Sequence, residues 1–349
     1  YDLAERATAA YEGARTNLAN WINAASDREV VFTSGCTSAI NLVAHSFGSL
    51  MQSGDEVIIS ELDHHANIVP WQMLRDRAGI VLKVLPVNDK GMLDLSRLEQ
   101  IITPRCRLIA LTHISNVTGA ITDIDRVVAA AKSVGAAVLL DGAQAMGHGP
   151  VDMQRLGVDF YTGSSHKMYG PTGIGFLWGR SELLEQMPPL LGGGEMIRRV
   201  TMEATTYASP PGRFEAGTPP ITQAAGLNAA INWMRQQDWN AIGDMERGLT
   251  ERLLDGLSDI SGITVAGPQG LQSRAPVVSF SHDTIHAHDI CEILNLHHVA
   301  VRGGHHCAQP LLDALDLAAL TRVSLGAYAT AEDIDAFLAG LDDAIRRLG

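Results

Sequence analysis

Four side chains in this sequence have the types and the surroundings that covalent chemistry requires: Lys167, Asp141, His64 and Cys307. Lys167 stands in a polar, glycine-containing stretch between two apolar runs that we predict to be buried strands. A lysine wedged there is unfavourable unless it is paired or used. A desolvated amine loses its proton readily and forms a Schiff base with an aldehyde, whereas the alternative is a surface lysine at a hairpin tip.

Asp141 directly follows the apolar run 138–140. An aspartate at the end of a buried strand needs a cationic or hydrogen-bonding partner. Pyridoxal phosphate supplies one, because a carboxylate that faces the ring nitrogen keeps it protonated and makes the ring a better electron sink. The alternative is an aspartate that caps the N-terminus of a helix.

Two further segments follow predicted strands and contain groups that suit such a cofactor. His64 and His65 are adjacent, and because neighbouring side chains diverge they are poorly placed to chelate one metal. We interpret His64 as stacking on an aromatic ring, with a surface turn as the alternative. The turn 35–38 leads into a predicted helix, whose N-terminus is either a phosphate site or only a capped start. Ser164 and His166 can donate to the same phosphate.

Cys307 lies in the loop 302–310, which its glycines make pliable, and Pro310 suits the first turn of a helix. A cysteine just before a helix N-terminus, with histidines adjacent, is favoured as a nucleophilic thiolate. A buried structural cysteine is the alternative. Three consecutive residues have poor geometry for zinc, so we predict no metal site. Arg322 follows a short apolar run and can hold a carboxylate with its two-pronged guanidinium.

Composition excludes several classes of protein. Net charge is −13 over 349 residues, with no lysine- or arginine-rich run, so we expect no nucleic-acid partner. No apolar stretch approaches the roughly 20 residues that cross a bilayer, so we expect no membrane association. The four cysteines are widely scattered, which indicates free thiols, a reducing compartment and a cytoplasmic protein. Residue 1 is tyrosine, so we expect that an N-terminal segment is missing and that targeting cannot be read.

The alternation of apolar runs and helical patterns predicts an α/β fold. An amphipathic helix over 1–24 is followed by strands near 30–32, 57–60, 81–85, 108–112, 138–140, 160–162 and 174–178, most of them separated by helices. Such a pattern is typical of a mainly parallel sheet sandwiched by helices, with ligands at the carboxyl ends of its strands. Residues 191–220 are predicted to be an irregular connection. We therefore predict a large domain over 1–220 and a smaller α/β domain over 221–349.

Segments distributed along nearly the whole chain resemble the pyridoxal-phosphate-dependent cysteine desulfurases of the SufS/CsdA type, group II of the class-V aminotransferase family. The resemblance rests on DHHANIVPW (63–71), SNVTG (115–119), DGAQ (141–144), SSHKMYGPTGIG (164–175), GGGEMI (192–197), FEAGTP (214–219) and RGGHHCAQP (302–310). It implies fold type I of the pyridoxal-phosphate-dependent transferases, with a seven-stranded sheet.

The resemblance also implies a role for each matching residue. Lys167 holds the cofactor, His64 stacks on its ring, Asp141 pairs with the ring nitrogen and Gln144 with the phenolic oxygen. The phosphate is surrounded by Cys36, Thr37, Ser164 and His166, and by Thr218 reaching across from a second subunit of a homodimer. The substrate carboxylate is held by Asn116 and Arg322, and Cys307 takes the sulfur with Arg302 and His305 nearby.

The activity implied is conversion of L-cysteine to L-alanine, with a persulfide on Cys307 that passes to a SufE- or CsdE-like acceptor or a scaffold for iron–sulfur cluster assembly. Two alternatives stay open: a selenocysteine lyase, and a weakly active partner subunit if the N-terminal segment is truly absent. The sequence departs from the family at Cys36, where threonine is usual, and at Pro220, where asparagine is usual.

Overall fold

The computed structural model describes residues 1–349 and consists of a large sheet lobe followed by a smaller one. The strands of the large sheet are apolar runs of four to seven residues: β1 (Val30–Thr33), β2 (Glu56–Ser60), β3 (Val81–Leu85), β4 (Cys106–Thr112), β5 (Ala137–Asp141), β6 (Phe160–Ser164) and β7 (Gly175–Gly179). Their order is β1-β7-β6-β5-β4-β2-β3, and only β7 runs antiparallel to its neighbours. The predicted α/β class and mainly parallel seven-stranded sheet are confirmed.

Helices cover both faces of this sheet. The helices of the first 234 residues are α1 (Asp2–Trp21), α2 (Cys36–Ser46), α3 (Val69–Ala78), α4 (Leu98–Ile101), α5 (Ile124–Val134), α6 (Met153–Leu156), α7 (Ser181–Gln186) and α8 (Ile221–Met234). Side chains alternate between the faces, as the pleat requires. On β4, Ile109 and Leu111 pack in the core beneath α1, α5 and α8, whereas Leu108 and Ala110 pack in the core beneath α2 and α3.

The second lobe is a four-stranded antiparallel sheet with helices on it. It comprises α9 (Trp239–Ser258), β10 (Ile263–Ala266), β11 (Val277–His282), α10 (Ala287–Leu296), β12 (Arg302–Gly304), α11 (Gln309–Ala314), β13 (Leu320–Ser324) and α12 (Ala331–Leu348), with strand order β10-β11-β13-β12. The division at residue 220 stays a prediction. Helix α8, which opens the predicted small domain, buries Leu227, Ile231 and Met234 in the core of the large sheet.

One stretch of the chain differs from the sequence-based expectation. The stretch 191–220, predicted to be irregular, contains a two-stranded hairpin of β8 (Ile197–Val200) and β9 (Thr205–Tyr207). Nearly all residues of this hairpin are exposed, so the apolar alternation that reveals a half-buried strand is absent.

None of the helices combines the length and the apolarity that crossing a lipid bilayer requires.

Candidate active site

The carboxyl ends of the parallel strands open into a cavity of about 240 Å³, where most of the predicted site residues meet. Ten of them line it, nine from the large sheet lobe and Arg302 from the second lobe: Cys36, Thr37, His64, Asn116, Asp141, Gln144, Ser164, His166, Lys167 and Arg302. The remaining lining residues are small or apolar except for Thr112. The cavity therefore lies between the edge of the large sheet and the cysteine loop.

Lys167 lies on the connection between β6 and β7, in a turn of 3₁₀ helix over Ser165–Lys167. Both flanking strands are wholly buried, as predicted, but the prediction that the lysine is buried between them is wrong. Lys167 is exposed, lines the cavity and has no hydrogen-bond or salt-bridge partner. The Lys167 amine is therefore available to react because it has no partner and lies in an open cavity, and not because it is desolvated.

Gly175, the first residue of β7, lies in close contact with the end of β6 on one side and with the residue before α2 on the other. A Cβ atom at this position would lie 2.5 Å from the Gly163 carbonyl oxygen and 2.6 Å from the Gly35 Cα. Both are backbone atoms, so neither can move aside as a flexible side chain does. The pairing of β7 with β1 and β6 thus requires glycine at residue 175.

Asp141 is the last residue of β5 and is 6% exposed. Its Oδ1 accepts hydrogen bonds from the Ala143 N–H at 2.9 Å and from the Cys36 thiol at 3.1 Å, and no basic side chain pairs with it. It caps no helix, since the next helical turn begins at Ala145 after Gln144. A buried carboxylate without a cation faces the cavity, which fits a group that brings a positive charge.

Cys36 lies closer to Asp141 than the phosphate role implies. Its backbone N–H donates to the Ser164 Oγ at 2.8 Å, and its thiol also lies 3.0 Å from the Thr162 Oγ1. Burial, with the nearby Asp141 charge, raises the pKa of this thiol well above its ordinary value. Cys36 is therefore a neutral donor at the aspartate and not a nucleophile.

His64 lines the cavity and holds its imidazole by a local hydrogen bond. Its Nδ1 accepts from the Ala66 N–H at 3.0 Å, which places the proton of the neutral ring on Nε2. Burial lowers the pKa of His64. The charge of Asp141 opposes this shift, and the charge of Lys167 adds to it. A neutral, half-buried imidazole suits the stacking position that was predicted for it.

The cysteine loop of the second lobe rests on the large sheet lobe beside this cavity. The Cys307 carbonyl accepts from the His65 N–H at 2.8 Å, and the His306 carbonyl accepts from Asn116 Nδ2 at 2.8 Å. The Cys307 thiol lies 3.6 Å from Nη2 of Arg302, which lines the cavity. The predicted nucleophile thus lies beside the cavity that the predicted lysine lines.

Arg302 and Arg322 are directly opposed across the β12–β13 pair. Like charges opposite one another are unfavourable, so an anion between them is stabilising. Arg322 Nη1 donates to the Asn116 backbone carbonyl at 2.9 Å, whereas its Nε is buried without a partner. Burial, with repulsion from Arg302, lowers the pKa of Arg322 to about 10. Arg322 therefore stays cationic at neutral pH, and the guanidinium groups of the opposed pair suit a carboxylate.

Four of the predicted residues are not part of the cavity lining, and besides Cys307 and Arg322 these are Thr218 and His305. Thr218 is exposed and lines a separate surface depression with Tyr11 and Ser34. Its role across a subunit boundary stays a prediction. His305 is exposed, and its Nδ1 accepts from the Cys307 N–H at 3.2 Å. The sequence analysis assigned no contact to His65, which is hydrogen-bonded to the cysteine loop. The signal that could have found it is that the side chains of adjacent residues point in different directions.

A larger cavity of about 620 Å³ lies elsewhere between the lobes, and three of its charged or ionisable side chains are bonded within the protein. His148 Nδ1 lies 3.0 Å from a carboxylate oxygen of Glu246. Arg274 donates to four backbone carbonyls, those of residues 118, 266, 268 and 277. With these groups committed to structure, this cavity offers less chemistry than the one at the strand ends.

Asp63 lies next to His64 and is fully buried. Its carboxylate accepts hydrogen bonds from the Ser60 N–H at 2.8 Å, the Ser60 Oγ at 2.7 Å and Asn67 Nδ2 at 3.1 Å. Burial raises the pKa of Asp63 to about 7, although these hydrogen bonds oppose the rise. The folded protein therefore keeps a proton that the unfolded chain has released.

This difference predicts a pH dependence of stability. The unfolded carboxyl titrates near pH 4 and the folded one near pH 7, so stability falls as pH rises between them. At about 1.4 kcal/mol for each pH unit, the loss is about 4 kcal/mol. We expect the free energy of unfolding of the wild type, relative to Asp63→Asn, to fall by that amount in urea titrations. A difference that is constant with pH would contradict the assignment.

Comparison with known proteins agrees with this geometry. Residues 1–337 match the family described as aminotransferase class-V. The cysteine desulfurase of Serratia proteamaculans (strain 568) is 45% identical over 351 residues, which cover 100% of this chain and 86% of the relative. The crystal structure of the cysteine desulfurase CsdA from Escherichia coli superimposes with a TM-score of 0.95 at 40% identity, covering 100% of this chain and 87% of that one.

A structure of C-DES, with glycine covalently linked to its PLP cofactor, superimposes with a TM-score of 0.85 at 25% identity, covering 97% of this chain and 87% of that one. The sheet, its lysine turn and the cavity at the strand ends define a transferase of the class-V fold. The chain belongs to the class-V aminotransferase family and, within it, to the cysteine desulfurases.

Proposed function

We propose that this protein is a pyridoxal-phosphate-dependent cysteine desulfurase that converts L-cysteine to L-alanine and stores the sulfur as a persulfide on Cys307. The observation that carries the proposal is the contact between the lobes. The Cys307 carbonyl is hydrogen-bonded to the turn that carries His64, beside the cavity that Lys167 lines. An amine and a thiol from separate lobes thus serve one cavity.

The residues present fit pyridoxal phosphate. Lys167 is an unpaired amine for the aldehyde, and the buried Asp141 has no cation of its own for its charge. Thr37 and the first N–H groups of α2 lie at the same cavity, where a helix N-terminus favours a phosphate. Ser164 and His166 complete that end and Gln144 lies beside Asp141. When bound, the cofactor supplies an electron sink for charge that develops on the substrate.

The chain's own groups bind and orient the substrate. Arg322 and Arg302 form a cationic pair for the carboxylate, and Asn116, which accepts from Arg322 at its carbonyl, lines the cavity with Arg302. Arg322 suits this role because its fork matches a carboxylate in two parallel hydrogen bonds. Asn116 also ties the cysteine loop through His306, so the substrate pocket and the nucleophile share one anchor.

Proton transfer and sulfur transfer fall to two residues. Lys167 removes the α-proton of the substrate and returns a proton to carbon, with its Nζ as the group that exchanges it. The Cys307 thiolate attacks the substrate sulfur, as a thiolate attacks a disulfide. A new S–S bond forms and the C–S bond breaks, and its electron pair stays with carbon, which is protonated to give alanine. The overall change, L-cysteine plus thiol to L-alanine plus persulfide, balances without an external oxidant.

The proposal includes the partners of the reaction. A thiol or a sulfur-acceptor protein, SufE- or CsdE-like or a scaffold, removes the sulfur for iron–sulfur cluster assembly. We place Thr218 at the cavity of a second subunit in a homodimer, since in its own subunit it is exposed and outside that cavity. All four cysteines are unpaired, which fits the reducing cytoplasm.

The test compares Cys307→Ser with the wild type. Incubation of the wild type with L-cysteine should yield alanine and one extra sulfur atom on the Cys307 peptide, detected by mass spectrometry. Cys307→Ser should keep the cofactor absorbance and lose alanine production by about 10³-fold or more, as when a nucleophile is removed. Cys291→Ser, at another half-buried cysteine, is the matched control and should behave as the wild type. Alanine formed by Cys307→Ser at the wild-type rate would exclude the proposed nucleophile.

A further inference from the structure

His65 contacts the cysteine loop on both sides of the nucleophile. Its backbone N–H donates to the Cys307 carbonyl at 2.8 Å, and its Nε2 accepts from the Gln309 N–H at 3.1 Å. Its ring lies 5.9 Å from the ring of His305, tilted by 34°. A single residue of the large sheet lobe thus touches positions two before the cysteine, at it and two after it.

The protonation state of His65 suits this contact. Because Nε2 accepts a hydrogen bond from a backbone N–H, the ring must be neutral with its proton on Nδ1. Burial lowers the pKa of His65, and the neighbouring His305 adds to the effect. The imidazole is therefore held in its accepting form at neutral pH.

The loop needs such outside contacts, because its own backbone is unfavourable. His306 and Cys307 have φ angles of +54° and +58°, in the left-handed region that residues with a Cβ rarely adopt. Two consecutive residues in this conformation do not hold it alone. His306 is anchored by Asn116 Nδ2 at its carbonyl and by the Leu320 carbonyl at its Nε2, which leaves the cysteine side of the loop to His65.

We propose that His65 is a positioning residue that clasps the cysteine loop, so that the Cys307 thiol is held beside the cavity. The inference rests on the proposed role of Cys307 as the sulfur acceptor. His64 and His65 then divide the work of the pair: one ring lines the cavity and the other fixes the loop across from it. The imidazole acts as a hydrogen-bond acceptor and takes no part in the chemistry.

The test uses the holoenzyme and two substitutions. His65→Ala removes the acceptor, whereas His65→Gln puts a side-chain oxygen close to where Nε2 was and cannot be protonated at neutral pH. His45→Ala is the matched control, since His45 is also half-buried but has a ring nitrogen without a partner and lies on α2 away from the loop. Two quantities are measured: the rate at which iodoacetamide alkylates Cys307, and the rate of alanine formation in a single turnover.

In His65→Ala, iodoacetamide should alkylate Cys307 several-fold faster than in the wild type, because the loop is released. Alanine formation should be slower by about tenfold or more, since a misplacement of reacting groups by about 1 Å can cost 10²-fold in rate. His65→Gln should restore most of both rates, with the cofactor absorbance unchanged throughout. The proposal is overturned if His65→Ala matches His45→Ala in both rates, or if His65→Gln is as impaired as His65→Ala. Alkylation needs no turnover, so it reports on the clasp even if Cys307→Ser shows that another group takes the sulfur.

Discussion

Replacing Lys167 by alanine is expected to remove both retention of pyridoxal phosphate and conversion of cysteine. Lys167 is the only amine side chain that lines the cavity, and it has no partner within the chain. One residue then supplies the covalent attachment and the proton transfer, so the loss should be at least about 10⁴-fold in kcat/KM, since proton transfer alone contributes 10²–10⁴. The absorbance of the purified variant and its alanine production measure the two effects.

Borohydride gives this prediction a direct chemical readout. Reduction of the wild type should bleach its colour and leave the cofactor's mass on the peptide that contains Lys167. Lys90→Ala is the matched control, because Lys90 is exposed and its side chain contacts no polar group. A reduced cofactor recovered on any other lysine, or a yellow Lys167→Ala protein that turns over, would contradict the assignment.

Replacing Glu215 by alanine should produce the largest loss of stability of the substitutions considered. Glu215 forms two hydrogen bonds with the Arg15 guanidinium, at 2.6 and 2.9 Å, and accepts from the Tyr11 hydroxyl at 2.9 Å and the Phe32 N–H at 2.7 Å. The side chains of Arg15 and Glu215 are only 4% and 12% exposed. Without Glu215 the buried Arg15 keeps only the exposed Glu12 as an acidic partner, and breaking a buried pair by removing one partner costs about 3–5 kcal/mol.

The measurement is the shift of the urea unfolding midpoint, followed by circular dichroism. Glu215→Gln keeps one accepting oxygen and should lose less than Glu215→Ala. Glu185→Ala is the matched control, because Glu185 pairs with Arg28 and Arg213 at 49% exposure, where such pairs contribute about 0–1 kcal/mol. Equal shifts for Glu215→Ala and Glu185→Ala would contradict the expectation that the contacts of Glu215 with α1 stabilise the fold.

The sheet and much of the site could be predicted because their determinants are local. Each parallel strand is an apolar run flanked by polar residues, and the side chains at its carboxyl end share one edge of the sheet. Asp141 and His64 were therefore predicted at one cavity from their positions alone. Cys307 was singled out by the composition of its own loop, and the structure places it beside the same cavity.

What the sequence could not reveal depends on contacts between distant positions. The clasp joins residues 65 and 309, and the Asn116 anchor joins residues 116 and 306. No periodicity records such pairs. The burial of Lys167 was predicted wrongly because an apolar run says where its strand lies and not where the connecting turn opens. The contact of Cys36 with Asp141 could not be predicted either, since it needs β5 and α2 to be adjacent in space.

Gly175 acts as a spacer of minimal thickness between two parts of the site that the chain builds separately. On one side is Gly163 of β6, the strand that leads into the lysine turn, and on the other is Gly35, the residue before α2. A methyl group on residue 175 would clash with backbone atoms on both sides, so β6 and the start of α2 would have to move apart. The separation between the end of β6 and the start of α2 thus depends on the missing side chain of a residue that does not itself line the cavity.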